Sequence, residues 1–373
     1  MRRLILAGLF FLAGGTHAQT VAPIGALPAG AMPLPARAVG RMERLRDGRD
    51  MVYRHQWPGI YFETRFTGDA AYLGFDDKTN EYRLTVDGGA PIAIVKPGKT
   101  WLALGGLTAG THSLRLEKVT ESIDQMEVFD GFYLPPAARA QTPPPARKRA
   151  IEFIGDSGMT GYGVRSTTRT CTKPEVHDRT DTQQAWPVLT ARHFDADYEV
   201  NAISGRGMVR NYEGAVPGFT MTDVYPYTFF DKTVAAKDSE WHPNVVMVGL
   251  GGNDFTALQP GEKWKSDKAV AVDYFAAYGR FVADLYRRYP RAVIVVMVLG
   301  ADDAEGRQMV QVGRQSIESK AAAAGLKRLV FMTQATDFHV DRDACDYHGS
   351  LADHKAVAKA VIDWLESHPE VWR

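Results

Sequence analysis

Across "LPPAARAQTPPPARKRA", residues 134–150, the hydrophobic rhythm of the chain changes, and no single layer architecture accommodates both halves. Before it, from about Gly40 to Leu134, come "GIYFETRF", "AAYLGF", "EYRLTVDG", "PIAIV", "TWLAL", "HSLRLEKV" and "MEVFDGFYL", separated by Gly, Asp and Asn turns. Alternation of that kind gives each strand one apolar face, which predicts an antiparallel β-sandwich. After it, apolar runs at 151–154, 245–250, 292–299 and 328–332 alternate with helical patterns near 183–194, 268–288, 305–324 and 350–366. A run such as "AVIVVMVL" has no polar face to turn to water. The second half is therefore expected to be α/β, a parallel sheet covered by helices on both sides. The prolines between the halves predict an extended linker over 136–149, joining domains at 40–135 and 150–373. Residues 19–39, rich in Pro, Ala and Gly, are expected to form a mobile leader.

"MRRLILAGLFFLAGGTHA" places two arginines before an apolar run and small residues at a cleavage spacing, so residues 1–18 read as a secretory signal. The run is too short to span a bilayer. Export implies an oxidising compartment, periplasmic or extracellular. Cys171 and Cys345 are the two cysteines of the 373-residue chain, so one disulfide between them is expected, with two buried thiols as the alternative. Lys+Arg 44 balances Asp+Glu 44, which gives no electrostatic reason to expect nucleic acid or an anionic membrane as partner.

In parallel α/β sheets the reactive groups gather beyond the carboxyl ends of the strands. Ser157, in "FIGDSGMTGYGV", follows the strand predicted to end at Ile154. Gly205, in "NAISGRGM", follows "YEVNA", and Asn253, in "GGND", follows "NVVMVGL". Each loop alone reads as a turn. Together they offer a hydroxyl, a main-chain N–H and a side-chain amide at one end of one sheet, as acyl transfer requires. The base is sought among the histidines: His55 and His112 sit in the sandwich, and His193 lies on a helix as a structural residue. "CDYHGS" puts His348 just before the last helix with Asp346 two residues upstream, and an extended or turn segment can point both side chains the same way. "TDFH", with Asp337 and His339, has the same spacing and is the competing choice.

In that order, "GDS" at 155–157, Gly205 in "SGRG", "GGND" at 251–254 and "DYH" at 346–348 resemble the four blocks of the SGNH hydrolase superfamily. With the preceding sandwich, "GDSGMTGYG" and "CDYHGS" are similar to carbohydrate esterase family 2, the resemblance spanning roughly residues 40–366. That family joins a jelly roll to an SGNH domain and deacetylates polysaccharides such as xylan and mannans. The resemblance implies Ser157 as nucleophile and His348 as base. It further implies an oxyanion hole from the N–H groups of Ser157 and Gly205 and the Asn253 side chain. Two departures stand out: Gly158 replaces the usual Leu or Ile, and Asp346 stands two, not three, residues before the histidine. Some members of the family orient the histidine with a main-chain carbonyl, which makes Asp346 the assignment most open to test.

The expected activity is removal of acetyl groups from acetylated xylan or mannan through an acetyl-enzyme. No cofactor is called for, since no Cys/His cluster has metal-ligand spacing. A non-catalytic glycan-binding protein, a lipase or thioesterase, and a peptidoglycan O-acetyl esterase are the other readings. Trp57, Tyr61, Trp101, Trp186 and Trp264 are possible platforms for sugar rings. An α/β-hydrolase is disfavoured because Gly155-Asp156-Ser157-Gly158-Met159 breaks the G-x-S-x-G elbow.

Overall fold

The computed structural model describes residues 19–48, 50–237, 240–298, 304–333 and 340–373. The expected signal segment and the Asp337–His339 alternative lie outside the described residues. Among the described residues the first half builds thirteen strands: β1 (Thr20–Ile24), β2 (Met32–Leu34), β3 (Arg37–Val39), β4 (Met42–Asp47), β5 (Asp50–His55), β6 (Tyr61–Gly68) and β7 (Ala71–Asp77). There follow β8 (Glu81–Val86), β9 (Ile92–Val95), β10 (Gly98–Gly105), β11 (Gly110–Lys118), β12 (Glu127–Leu134) and β13 (Arg139–Gln141). One antiparallel sheet runs β1-β10-β7-β12-β5-β4 with β2 on β12, and the other runs β13-β6-β11-β8-β9 with β3 on β6. Alternate residues meet between the sheets, as in β8, where Tyr82, Leu84 and Val86 are buried against Phe62, Phe75, Leu116 and Phe129.

One expectation is corrected here. Residues 19–39 form no mobile leader: β1 extends one sheet at the β10 edge, β2 pairs β12 and β3 pairs β6. Edge pairing tolerates Pro23, and Leu34 and Val39 supply buried side chains. The 136–149 segment is extended but fixed, because β13 pairs β6 and the Arg147 guanidinium is held by Glu63 and Asp197.

The second half forms β14 (Arg149–Gly155), β15 (Ala196–Ala202), β16 (Val245–Gly249), β17 (Val293–Val298) and β18 (Leu329–Thr333), all parallel, in the order β15-β14-β16-β17-β18. Its helices are α1 (Ser157–Thr160), α2 (Lys173–Arg179), α3 (Trp186–His193), α4 (Met221–Val224), α5 (Asp267–Arg288), α6 (Ala304–Ala323) and α7 (Leu351–Ser367). Val293 and Val295 pack toward α3 and α7, while Ile294 and Val296 pack toward α5 and α6. This burial of both faces explains the unbroken apolar run. Chain order reverses between β14 and β16, so loops leaving these strands open a crevice at the switch point. Among the described residues no helix is long and apolar enough to cross a membrane.

Candidate active site

Ser157 stands two residues beyond β14, at the start of α1. Asp156 caps that helix, its Oδ1 accepting from the Gly158 N–H at 3.0 Å. Gly155 is required by contact: a Cβ there would lie 2.5 Å from Met159 Sδ and 2.9 Å from the Gly249 carbonyl. At Gly158 a Cβ would meet only Asp156 Oδ1, at 3.5 Å, so the departure from Leu or Ile has no steric cause.

The structure brings Ser157 and His348 together across 191 positions, with Ser157 Oγ 2.8 Å from His348 Nε2. On the other side of the ring, Nδ1 lies 3.1 Å from the Cys345 carbonyl and 3.2 Å from the Asp346 carbonyl. Carbonyl oxygens only accept, so the proton sits on Nδ1 and Nε2 is left to accept from the serine hydroxyl. Burial holds the His348 imidazole below its ordinary pKa, outweighing the two carbonyl contacts, which act the other way.

The expected Asp346 carboxylate–imidazole contact is not made. Asp346 Oδ2 instead accepts from the Tyr162 hydroxyl at 2.8 Å, and the Tyr162 ring packs on the His348 ring with centroids 4.2 Å apart. The physical reason is the backbone: Asp346 and Tyr347 have φ of 52° and 60°, so the segment is a tight turn with two successive left-handed residues. Residues two apart no longer share a face. Cys171 and Cys345 are joined in a disulfide, and the Asp346 N–H donates to the Arg169 carbonyl at 2.7 Å, so two ties fix this turn to the 166–172 segment. Gly163 makes room for it, since its φ is +55° and a Cβ would meet Cys345 Cβ at 2.6 Å.

Gly205 and Asn253 follow β15 and β16, the two neighbours of β14, so all three loops emerge side by side. Asp254 shapes the first of them, its carboxylate accepting from the N–H groups of Met208, Val209 and Arg210 at 2.8–3.0 Å. Burial nonetheless pushes its carboxyl up to about 6, and does the same for Asp156. Among the described residues the N–H groups of Ser157 and Gly205 meet no protein acceptor. Asn253 Nδ2 donates to the Arg206 carbonyl at 2.9 Å and to Asp156 Oδ2 at 3.1 Å. Both amide hydrogens are therefore engaged, and an oxyanion would have to share the longer contact.

A cavity of about 500 Å³ is lined by Ser157, His348, Asn253, Tyr212 and Tyr347 among others. Tyr347 is 66% exposed and Tyr212 52%, which puts two aromatic faces at its rim. Of the aromatics singled out in the sequence, Trp57, Tyr61 and Trp186 are buried. Trp57 packs on Phe230 and Tyr61 on Tyr198, across the contact between the halves. Tyr162, Tyr212 and Tyr347 went unassigned in the sequence. The signal for Tyr347 was its place beside His348, and for Tyr162 its place in "GDSGMTGYG". His354 also lines the cavity, but its Nδ1 accepts from the Trp186 N–H at 3.1 Å.

The fold and site thus define an acylhydrolase of SGNH type. Residues 38–144 match the carbohydrate esterase 2 N-terminal family and residues 153–354 the GDSL-like Lipase/Acylhydrolase family. The chain is similar to an acetylxylan esterase / glucomannan deacetylase of Cellvibrio japonicus, at 39% identity over 91% of this chain and 93% of that protein. It is also similar to a solved carbohydrate esterase described as having divergent catalytic and non-catalytic binding functions, at TM-score 0.82 and 37% identity, covering 91% of this chain and 100% of that one. A family two carbohydrate esterase of Clostridium thermocellum, solved with cellohexaose, aligns at TM-score 0.74 and 26% identity over 91% of this chain and all of that one. The chain belongs to carbohydrate esterase family 2 and is a carboxylic ester hydrolase.

Proposed function

We propose that this esterase removes O-acetyl groups from xylan- or glucomannan-type polysaccharides by way of an acetyl-Ser157 intermediate. The observation that carries the reading is the 2.8 Å contact from Ser157 Oγ to an imidazole whose other nitrogen is committed to carbonyl oxygens. As the serine oxygen attacks the acetyl carbonyl, its proton passes to Nε2, and the imidazolium is stabilised by the two carbonyls facing Nδ1. The N–H groups of Ser157 and Gly205 take the oxyanion, with Asn253 sharing the hydrogen it directs at Asp156. The proton on Nε2 then goes to the departing sugar oxygen. Water, deprotonated by the same imidazole, attacks the acetyl-enzyme and releases acetate.

Tyr212 and Tyr347 at the rim suit the apolar faces of sugar rings. The names of the relatives favour xylan and glucomannan over lipid or peptidoglycan esters. Residues 1–18 direct export, so the enzyme meets polymer outside the cytoplasm. Acetate release from acetylated xylan and acetylated glucomannan by the wild type and by Ser157→Ala tests the reading. The mutant should lose at least about 10⁴-fold in kcat.

A further inference from the structure

The sandwich reaches toward the esterase site through the segment that follows β11. Beyond β11 the chain runs Val119, Thr120, Glu121 and Ser122, all buried where the two halves meet. Glu121 Oε1 accepts from the Ser204 N–H at 2.7 Å, and Oε2 lies 2.7 Å from Ser204 Oγ. Ser204 immediately precedes Gly205. Its hydroxyl is also 3.0 Å from Thr160 Oγ1, and Thr160 in turn lies 3.3 Å from the Ser157 carbonyl. From the same segment, the Val119 carbonyl accepts from the Thr182 N–H at 2.9 Å, and Thr182 Oγ1 donates to the Thr160 carbonyl at 2.7 Å. Two routes therefore lead from residues 119–121 to α1, and one of them passes through the residue before Gly205.

We propose that Glu121, a residue of the sandwich domain, is a positioning residue of the esterase: by holding Ser204 at both its N–H and its hydroxyl, it sets the direction of the Gly205 N–H relative to Ser157. The inference rests on the reading of Gly205 as an oxyanion donor. The geometry supports it in three ways. Bonds from one carboxylate to the N–H and the hydroxyl of a single residue hold its φ and χ1, and so fix the Cα from which the peptide bearing the Gly205 N–H departs. Gly205 follows with φ of +77°, so the turn that aims its N–H starts from the held residue. Glu121 and Ser204 are 5% and 9% exposed, so water does not compete for these bonds. The sandwich is in this sense part of the catalytic apparatus.

The test is steady-state kinetics of the full-length enzyme on acetylated xylan and on a small acetate ester, with active sites titrated by a serine-directed phosphonate. Glu121→Ala should lower kcat per titrated site by about 10- to 100-fold with KM within about threefold, because oxyanion donors act on the transition state. Glu121→Gln, which still offers an acceptor to the Ser204 N–H, should recover most of that loss. Ser204→Ala removes only the hydroxyl arm and should give a smaller loss of the same kind, which keeps the proposal testable if Glu121→Ala does not fold. Wild-type kcat in folded Glu121→Ala or in Ser204→Ala, or a loss confined to KM, would overturn it. If Ser157→Ala stayed active, the esterase reading itself would fall, whatever Glu121 does.

Discussion

At His348 the decisive fact is which nitrogen carries the proton. Two main-chain carbonyls face Nδ1, so the tautomer that accepts from Ser157 is fixed without a carboxylate partner. Burial, the largest influence, lowers the pKa of the ring and keeps it neutral to more acidic pH. The base is active when neutral, so the acid limb of kcat/KM should fall below the ordinary histidine value of about 6.5. A pH profile on a small acetate ester checks this, and a midpoint above 7 would contradict it. Asp156, with its carboxyl pushed up to about 6 by burial, titrates nearby, and a limb that keeps its position in Asp156→Asn belongs to His348. Ser157 and His348 were legible because each stands beside a turn at a chain position that chemistry makes recognisable. Asp346 was misread because residues two apart were taken to share a face in an extended or turn segment, while two successive positive φ values turn its carboxylate toward Tyr162.

At the level of elements, the turn at residues 345–348 acts as a mount for the imidazole. The disulfide to Cys171, the main-chain bond to Arg169 and the Asp346–Tyr162 pair hold it from three directions. Asp346→Ala and Tyr162→Phe each remove one partner of a single shared contact, so each should cost on the order of tenfold or less in kcat, far less than Ser157→Ala. The double mutant should lose little more than either single change, because the two side chains meet in one bond. Additive losses would show separate roles. The parallel strands and α5–α7 were readable from apolar runs and helical periodicity. The strands β1–β3 and β13 were not, since prolines and small residues hide edge strands whose order comes from pairing with distant partners.

For the whole molecule, the two halves are locked by buried charge. Glu63 of the sandwich and Asp197 of β15 share Arg37 and Arg147, while Arg115 also pairs Glu63. Burial alone would raise the Glu63 carboxyl, but the hydrogen bond from Arg147 and the neighbouring arginines outweigh it and bring it down to about 2. A carboxyl depressed in the folded state contributes stability above its unfolded pKa of about 4.5 and loses it as pH falls toward 2. Glu63→Gln should therefore destabilise the protein at pH 7 by about 3 kcal/mol, leaving three arginines short of a partner. It should also flatten the acid branch of the stability curve, read as the urea midpoint against pH. An unchanged midpoint would show that the lock contributes nothing. No sequence pattern announced this interface or the grip of Glu121 on Ser204, because Arg37 reaches Asp197 across 160 positions and Glu121 reaches Ser204 across 83.

The central claim is that Ser157, activated by His348, carries the acetyl group from the polysaccharide. The most direct test is mass spectrometry of enzyme quenched during turnover of acetylated xylan or glucomannan, alongside acetate release. The account predicts one added acetyl on the peptide bearing Ser157, with neither adduct nor acetate from Ser157→Ala. Acetate released by Ser157→Ala at the wild-type rate would contradict it.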